Sequence, residues 1–139
     1  MTKDTYKNKS ILITGGTGSF GSAFIKFLLN KHKSIKKLVV FSRDELKQHD
    51  QKIELKKFNN KLRFFIGDVR DKQRLLEAFR GIDYVIHAAA LKQVESSEYN
   101  PIETIKTNVI GAQNIIESAI INRVKKVVVL STDKAVAPV

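Results

Sequence analysis

Cysteine is absent from this chain of 139 residues, and proline occurs only twice. Without cysteine the chain can form neither a disulfide bond nor a thiolate metal site. No stretch approaches the roughly 20 consecutive apolar residues that a membrane-spanning helix needs. The polar N-terminal segment MTKDTYKNKS also lacks the apolar core of a signal peptide. These absences lead us to expect a soluble cytoplasmic protein.

The chain carries an excess of positive charge, with 25 Lys and Arg against 14 Asp and Glu, a net charge of +11. The lysines are scattered, and no aromatic residues alternate with them as a base-stacking platform requires. We therefore expect a solvated basic surface that suits anionic small molecules, and neither a nucleic acid nor a membrane as partner. No cluster of His, Asp and Glu has the spacing of metal ligands, so no metal is predicted.

Short apolar segments alternate with segments of helical spacing along the whole chain, and the length suffices for one domain. Several of the apolar segments contain no polar residue, as is typical of parallel strands covered on both faces. The pattern predicts an α/β fold with a doubly wound parallel (Rossmann) sheet, and residues 1–139 as one dinucleotide-binding domain. The predicted strands are residues 10–14, 38–41, 62–66, 84–87 and 127–130, and the predicted helices are residues 22–30, 44–58, 72–79 and 101–121.

Periodicity also predicts which side chains of two helices face the core. The apolar positions are Leu46, Ile53 and Leu55 in the second helix, and Ile105, Val109, Ala112, Ile116 and Ala119 in the last. Pro101 suits the first turn of its helix, with Asn100 before it as the predicted cap.

A glycine-rich turn, TGGTGSFG at residues 14–21, separates the first strand from the first helix. Such a turn bends tightly, lets a pyrophosphate approach the backbone and leads into helix amides that bind phosphates. The context of strand, turn and helix is the one that the motif requires. The alternative is a structural glycine turn without a ligand. The predicted cofactor-binding residues here are Gly15, Thr17, Gly18, Ser19, Phe20 and Gly21.

The second strand ends in Ser42-Arg43, where folds that bind NAD usually place a carboxylate for the ribose diol. A carboxylate repels a 2′-phosphate, whereas an arginine pairs with it. Ser42 and Arg43 therefore predict NADP as the cofactor. Ser42 and Glu45 also have the spacing of a capping box, and this second role leaves Arg43 free.

Two later strands also end in residues that fit a cofactor. Asp68, with Val69 beside it, follows the third strand, where its carboxylate suits the adenine amino group; the alternative is an N-cap for helix three, for which Asp71 competes. The fourth strand ends in His87, for which we expect a core role rather than catalysis. After it, Ala88, Ala89 and Ala90 leave room for a cofactor beside the backbone.

Five stretches together resemble the extended short-chain dehydrogenase/reductase family: TGGTGSFG, FSRDELKQ, FIGDVRD, HAAALKQVESSEYNPIETIKTNVIGA and STDKAV. Within it, the chain is similar to the inverting UDP-N-acetylglucosamine 4,6-dehydratases of bacterial surface-glycan and flagellin-sugar pathways. The resemblance implies NADP as a bound cofactor, oxidation of the sugar at C4, elimination of water across C5 and C6, and return of the hydride to C6 with inversion at C5.

The resemblance also implies roles for individual residues. Lys134 is the implied base at C5 and Asp133 the implied acid for the C6 hydroxyl, whereas Asn108 matches a structural and proton-relay asparagine. Lys92, Thr132 and Lys134 are implied at the substrate, and Lys92, Asn108 and Ser131 at the cofactor. The alternative for Lys92 and Lys134 is that both are ordinary surface lysines. The alternative for Asn108 is a polar side chain inside a helix that bonds to a backbone carbonyl.

The family continues beyond the equivalent of Val139 into a Tyr-x-x-x-Lys segment, later strands and a small sugar-nucleotide domain. We therefore expect the chain to be the N-terminal portion of a longer enzyme, inactive alone, and to form homo-oligomers, with self-association through an exposed fifth strand. The alternatives are a UDP-sugar 4-epimerase, a dehydratase coupled to C5 epimerisation, and a non-catalytic NADP-binding module.

Overall fold

The computed structural model describes residues 5–131, which form a five-stranded sheet with the order β3-β2-β1-β4-β5. Every pair of neighbouring strands is parallel. The predicted doubly wound α/β fold is therefore confirmed. The strands are β1 (Ser10–Thr14), β2 (Lys37–Ser42), β3 (Leu62–Ile66), β4 (Tyr84–His87) and β5 (Lys126–Val129).

Helices connect the strands and cover the sheet on two sides. Alternate residues of a strand point to opposite faces, so each central strand contributes to two separate apolar clusters. Leu12 of β1 packs in one cluster with Phe79 and Ile115, whereas its neighbour Ile13 packs in the other with Ile25. The helices are α1 (Ser19–Lys31), α2 (Glu45–Glu54), α3 (Lys72–Ala78), α4 (Val94–Tyr99), α5 (Pro101–Ile105) and α6 (Gly111–Ile121).

Helix α2 begins in a different way from the predicted capping box. Its N-cap is Asp44, whose carboxylate accepts the Lys47 amide at 2.9 Å. Ser42 is instead the buried last residue of β2, and its hydroxyl accepts from the Gln48 side chain at 2.9 Å. The Ser42–Glu45 capping box is therefore wrong, because the strand continues through Ser42. The helix ends at Glu54, and a short 3₁₀ turn, Lys56–Phe58, follows it.

The predicted core faces of α2 and of the last helical region are largely wrong. Leu46 and Ile53 are 70% and 62% exposed, whereas Gln48 and Gln51 are buried. Of the three predicted positions only Leu55 is buried, at the C-cap. The polar side chains turn inward because they satisfy backbone and side-chain groups at the ends of the strands, as described below.

The last helical region consists of α5, a π-helical segment, Lys106–Ile110, and α6 in direct succession. Pro101 occupies its first turn after Asn100, as predicted, although the Asn100 side chain makes no capping bond. Its predicted core face is mostly exposed: Ile105, Val109 and Ile116 each expose about half of their surface or more. Ala119 is buried as predicted, and the other buried positions are Thr107, Gly111, Asn114, Ile115 and Ser118.

Strand β5 borders the described sheet on one side. Its residues Val128 and Val129, and Leu130 after them, expose roughly half of their surfaces. Within residues 5–131, no helix is long and apolar enough to cross a membrane.

Candidate functional site

A cleft of ≈ 340 Å³ opens at the carboxyl ends of the strands, where parallel α/β sheets bind their ligands. Most of the predicted cofactor residues line it: Gly15, Thr17, Gly18, Ser19, Phe20, Gly21, Ser42, Arg43, Asp68, Val69, Ala88, Ala89, Ala90 and Lys92. Asn108 and Ser131 are not among the lining residues. Thr132, Asp133 and Lys134 lie outside the described residues.

The glycine turn joins β1 to α1 against the backbone of two other strands. Gly15 has φ = +65°, and its amide donates to the Phe41 carbonyl at 2.9 Å. A Cβ atom on Gly15 would lie 2.9 Å from the backbone of Ala88 and Ala89, and one on Gly21 would lie 2.5 Å from the Gly15 carbonyl oxygen. Positions 15 and 21 therefore require glycine, because backbone atoms occupy the space of any side chain.

Helix α1 starts directly after this turn, earlier than predicted, and its first turn faces the cleft. Gly18 is the N-cap, and no side chain accepts a hydrogen bond from the first amides of the helix. The first turn contains no acidic residue. Free amides and the positive end of the helix dipole make this end of α1 suitable for a phosphate group.

Two buried glutamines of α2 hold the turn and the neighbouring strand ends. The Gln51 side chain donates to the Gly16 carbonyl at 3.1 Å and to the Ser22 hydroxyl at 3.2 Å. The Gln48 side chain donates to the Phe65 carbonyl at 2.9 Å and to Ser42. Their pairing with strand-end groups was not predicted, although Gln48 belongs to the FSRDELKQ stretch.

The charged end of the cleft contains two arginines around one carboxylate. Arg70 donates to Asp68 through its backbone amide at 2.9 Å and through its guanidinium group at 2.7 and 3.0 Å. Arg43 lies farther away, with its Nη1 atom 3.7 Å from the Asp68 carboxylate and its side chain 55% exposed. Asp71 caps α3 by accepting the Arg74 amide, so Asp68 does not serve as that cap.

The pKa of Asp68 reflects these partners. Partial burial raises the pKa, but the hydrogen bonds from Arg70 and the charges of Arg70 and Arg43 outweigh this effect and hold it below its ordinary value. Asp68 is therefore a carboxylate at neutral pH, and its charge is balanced mainly by Arg70. Arg43 is left with a half-exposed guanidinium group beside the cleft.

A buried threonine connects β1 to the start of the alanine segment. The Thr14 hydroxyl lies 2.7 Å from His87 Nδ1 and accepts the amides of Ala88 and Ala89 at 3.2 and 3.3 Å. Because the hydroxyl accepts from these amides, its own proton is directed at His87. Burial also lowers the pKa of His87, so the ring is neutral and structural, in agreement with its predicted core role.

Asn108 holds the loop that carries Lys92. Its side-chain oxygen accepts the Leu91 amide at 2.9 Å, and its side-chain nitrogen donates to the Leu91 carbonyl at 2.8 Å. The alternative expected from the sequence was a hydrogen bond from Asn108 to a backbone carbonyl. This bond is present, and it is one of the two that Asn108 makes to the backbone of Leu91. Lys92 follows the clamped residue, is exposed and lines the cleft.

Sequence reasoning missed five residues that line the cleft: Phe41, Asp44, Lys47, Gly67 and Thr107. The last of them precedes Asn108 in the π-helical segment. Asp44 and Lys47 lie in the quoted FSRDELKQ stretch, so that stretch itself held the signal. Within the part of the chain that the structure describes, no group of three or more His, Asp and Glu residues is placed to hold a metal ion.

A family model described as "Polysaccharide biosynthesis protein" matches residues 11–139. The inverting UDP-N-acetylglucosamine 4,6-dehydratase of Campylobacter jejuni (strain 81-176) is 56% identical over 134 residues, which are 96% of this chain and 39% of the relative. The UDP-glucose 4-epimerase of Rickettsia prowazekii is 53% identical over 136 residues, with the same coverage. The chain therefore spans about two fifths of these relatives, and the matches confirm its resemblance to nucleotide-sugar enzymes.

Solved structures match the fold closely. The X-ray structure of Pen from Bacillus thuringiensis superposes with a TM-score of 0.92 at 42% identity, covering 96% of this chain and 41% of that one. DesIV, a dTDP-glucose 4,6-dehydratase from Streptomyces venezuelae with NAD and TYD bound, superposes with a TM-score of 0.72 at 28% identity, covering 85% of this chain and 38% of that one. The similarity covers the sheet and the helices that build the cleft.

Proposed function

Because the chain belongs to the polysaccharide biosynthesis protein family, we propose that it is the NADP-binding part of a UDP-N-acetylglucosamine 4,6-dehydratase that acts in surface-glycan or flagellin-sugar biosynthesis. The observation that carries the proposal is that one cleft contains both a side-chain-free glycine turn and the half-exposed guanidinium group of Arg43.

The glycine turn fits a pyrophosphate. Positions 15 and 21 exclude any side chain, and the first amides of α1 face the same space without an acceptor from a cap side chain. Both features match what a dinucleotide phosphate needs: close approach to the backbone and a positive helix end. In this assignment Gly15, Thr17, Gly18, Ser19, Phe20 and Gly21 surround the phosphates.

The adenosine end supports NADP over NAD. Asp44, the first carboxylate after β2 along the chain, caps α2 and pairs with Lys47, its Oδ2 atom 3.3 Å from the lysine Nζ. It is therefore engaged where an NAD-binding fold would offer a carboxylate to the ribose diol. Arg43 has only a long contact to Asp68 and can pair with a 2′-phosphate through two parallel hydrogen bonds.

The opposite end of the cleft faces the sugar. Ala88, Ala89 and Ala90 present small side chains, and the Thr14 hydroxyl fixes the first two through their amides. Lys92, which follows the residue that Asn108 clamps, supplies a cation for an anionic substrate. When bound, the dinucleotide takes up a hydride from the sugar and returns it. We assign proton transfer to Asp133 as the C6 acid and Lys134 as the C5 base, by resemblance.

A second candidate, a UDP-sugar 4-epimerase, is favoured by the name and 53% identity of the Rickettsia relative. An epimerase returns the hydride to C4 and needs no acid or base at C5 and C6. The two reactions separate on UDP-N-acetylglucosamine in D₂O with a longer protein that contains this chain. A dehydratase gives a 4-keto-6-deoxy sugar with deuterium at C5, whereas an epimerase gives the C4 epimer without deuterium; the epimer alone would overturn the dehydratase assignment.

The cofactor is tested by calorimetric titration of the chain with NADP and, in parallel, with NAD. We expect tighter binding of NADP, because charged hydrogen bonds to a phosphate contribute about 1.5–3 kcal/mol each. Arg43→Gln should weaken NADP binding by about 10- to 100-fold, a factor that follows from those energies, and leave NAD binding within twofold.

Arg63→Gln is the matched control, because it removes the same charge from β3 at a residue outside the cleft lining. It should change neither affinity. Tighter binding of NAD than of NADP by the wild-type chain would refute the NADP assignment, and binding of neither would refute the dinucleotide site.

A further inference from the structure

The segments that lead into the five strands lie at the edge of the sheet opposite the cleft, and they carry the excess charge of the chain. These segments are residues 5–9, 32–37, 55–61, 79–83 and 122–126, and we call them the amino edge. They contain twelve of the 25 Lys and Arg but only one of the 14 Asp and Glu, Asp83. The rest of the chain, with thirteen of each sign, is neutral. The net charge of +11 is therefore located at one edge of the sheet.

Backbone hydrogen bonds hold these segments side by side. The Lys36 amide donates to the Lys9 carbonyl at 3.0 Å, and the Lys125 amide donates to the Asp83 carbonyl at 2.8 Å. The Asp83 amide in turn donates to the Ser10 carbonyl at 2.8 Å. Five strands about 4.8 Å apart span roughly 20 Å, so the fold gathers on one narrow face lysines that are scattered along the sequence.

Few cations of the amino edge have an anionic partner. Nine of the twelve are exposed, and within residues 5–131 only Lys125 forms an ion pair, with Asp83 at 2.6 Å. Seven of the eleven other described cations do form ion pairs, for example Lys47 with Asp44. Unpaired charges of one sign repel each other, and an anionic partner relieves this repulsion.

Helix ends explain only part of this cluster. The carbonyl ends of α1, α2, α3 and α6 lie at the amino edge, and cations stabilise such ends within the last turn. The last turns contain Lys31 in α1 and Lys52 in α2, and no basic residue in α3 or α6. The twelve cations follow the helices instead of lying in these turns, so the helix dipoles do not account for them.

The chemistry of the amino edge suits an anionic bilayer better than a nucleic acid. Ten of the twelve cations are lysine, whereas arginine is the residue with the planar geometry that nucleic-acid recognition favours. An exposed aromatic ring lies beside the edge. Phe27, one turn before the end of α1, is 46% exposed, and its ring lies 6.0 Å from that of His32 and 5.9 Å from Lys31 Nζ. Lysines together with exposed phenylalanine are typical of surfaces that lie on a membrane.

We propose that the amino edge binds the surface of a membrane that contains anionic lipids. Clusters of basic residues bind such surfaces through their combined charge and need no pocket. The sequence alone argued against a membrane partner, because only the fold brings the lysines together. The cleft opens at the other end of the strands, so a chain bound in this way keeps its nucleotide site accessible. The proposal is independent of the proposed function.

The proposal is tested by cosedimentation of the full chain with vesicles of phosphatidylcholine alone and of equal parts phosphatidylcholine and phosphatidylserine. At about 0.15 M salt we expect binding to the anionic vesicles only, and loss of binding at about 1 M salt, where charges are screened within roughly 3 Å. Lys33→Gln combined with Lys36→Gln removes two exposed cations from the amino edge. This variant should bind the anionic vesicles about 25-fold more weakly, or about fivefold for each lysine.

Lys72→Gln combined with Lys106→Gln is the matched control. It removes the same charge from two exposed residues outside both the amino edge and the cleft lining. Lys72 follows the carboxyl end of β3, and a strand of five residues is about 17 Å long, roughly twice the screening length of about 8 Å. The control should therefore stay within twofold of the wild type. The melting temperatures of both variants verify that they fold.

Four results would overturn the proposal. They are absence of binding to the anionic vesicles, equal binding to both kinds of vesicle, equal weakening by the two double variants, and binding of duplex DNA without binding of the vesicles. Release of the chain from the vesicles by NADP would also overturn it, because the lipid would then occupy the cleft instead of the amino edge.

Discussion

The sheet has a glycine-turn side, with strands β1 and β2, and a β5 side, and these differ in how completely their strands are buried. All five residues of β1 and the last five of β2 are buried, whereas three of the four residues of β5 are exposed. Buried polar groups hold the first side together: Gln48 and Gln51 of α2 bind strand ends and the glycine turn. On the other side, Val128 and Val129 expose half of their surfaces.

This difference separates a buried region, in which side chains bind strand ends, from a region with an exposed apolar surface. On the glycine-turn side, α2 and the neighbouring strand ends supply hydrogen bonds to the turn, and the backbone of the turn forms part of the cleft. The β5 side and the outer face of α5 and α6 present apolar side chains, and extended apolar surface is typical of contact with further protein. The exposed members of that outer face are Ile102, Ile105, Val109, Ile116 and Ile120.

The largest effect is expected from a substitution that disrupts the glycine turn, on the buried side of the sheet. Gly15→Ala places a Cβ atom 2.9 Å from the Ala88 backbone at a residue with φ = +65°. We expect a loss of about 2–4 kcal/mol of folding free energy, from left-handed strain and overpacking together. Binding of NADP should become undetectable, because the turn cannot keep its shape. Urea denaturation and calorimetric titration measure the two effects.

Gly81→Ala is the control for backbone strain alone. Gly81 has φ = +69°, but a Cβ atom there would meet nothing within 4 Å. This variant should lose about 1–2 kcal/mol and keep its affinity for NADP. If the two variants lose the same free energy of folding, crowding against the backbone of Ala88 and Ala89 plays no part.

The next effect tests the buried amides of α2. Gln48→Leu removes the Gln48 donor from the Phe65 carbonyl and from the Ser42 hydroxyl, whereas the Ser42 carbonyl keeps the Gly67 amide at 3.0 Å. We expect a loss of about 1–3 kcal/mol, the cost of unsatisfied buried groups. Gln113→Leu is the matched control, because Gln113 is exposed on α6 and its side chain bonds to the exposed end of Glu117 rather than to a strand. Chemical denaturation of both variants checks the difference, and a Gln48 variant as stable as the control would contradict it.

These glutamines show what the sequence could and could not predict. The strands were predictable to within a residue, because parallel strands buried on two faces consist of short apolar runs. The core face of α2 was not, because Leu46 and Ile53 supplied the apolar period although they are exposed. Burial of Gln48 depends on acceptors in β2 and β3 that are brought close only by the fold.

The site shows the same division. The placement of the glycine turn and Arg43 in the cleft was predictable, because both lie in local sequence next to a strand end. Thr107 was not, because its buried place in the cleft wall depends on how the π-helical segment packs in the fold. The clamp of Asn108 on Leu91 likewise joins segments 17 positions apart.

A smaller effect is expected at β5, where we predict self-association through the exposed strand. Val128→Lys puts a charge on the exposed strand, and lysines on edge strands oppose pairing with other chains. We expect self-association of the chain, measured by analytical ultracentrifugation, to weaken about tenfold, or 1.4 kcal/mol. Ile53→Lys adds the same charge on α2 at a residue of similar exposure and should not change association. A wild-type chain that stays monomeric at high concentration would refute the prediction.

The smallest effect concerns the link between the two sides. The Asp83 carboxylate accepts the Ser10 amide at 2.9 Å and the Lys125 ammonium group at 2.6 Å, so it joins the start of β1 to the residue before β5. Partial burial raises the pKa of Asp83, but hydrogen bonds from Lys125 and Ser10 outweigh this and lower it below its ordinary value near 3.8.

The lowered pKa gives Asp83 a pH-dependent contribution to stability. Since the folded state binds the proton less readily than the unfolded chain, the contribution is present above the ordinary pKa near 3.8 and disappears as the pH falls through the lower folded value. Asp83→Asn should therefore cost about 1 kcal/mol at pH 7 and less at pH 3. Asp50→Asn, on the exposed surface of α2, is the control. If Asp83→Asn lowers the free energy of unfolding by the same amount at pH 3 as at pH 7, the side chain stabilises the fold through its shape and not through its charge.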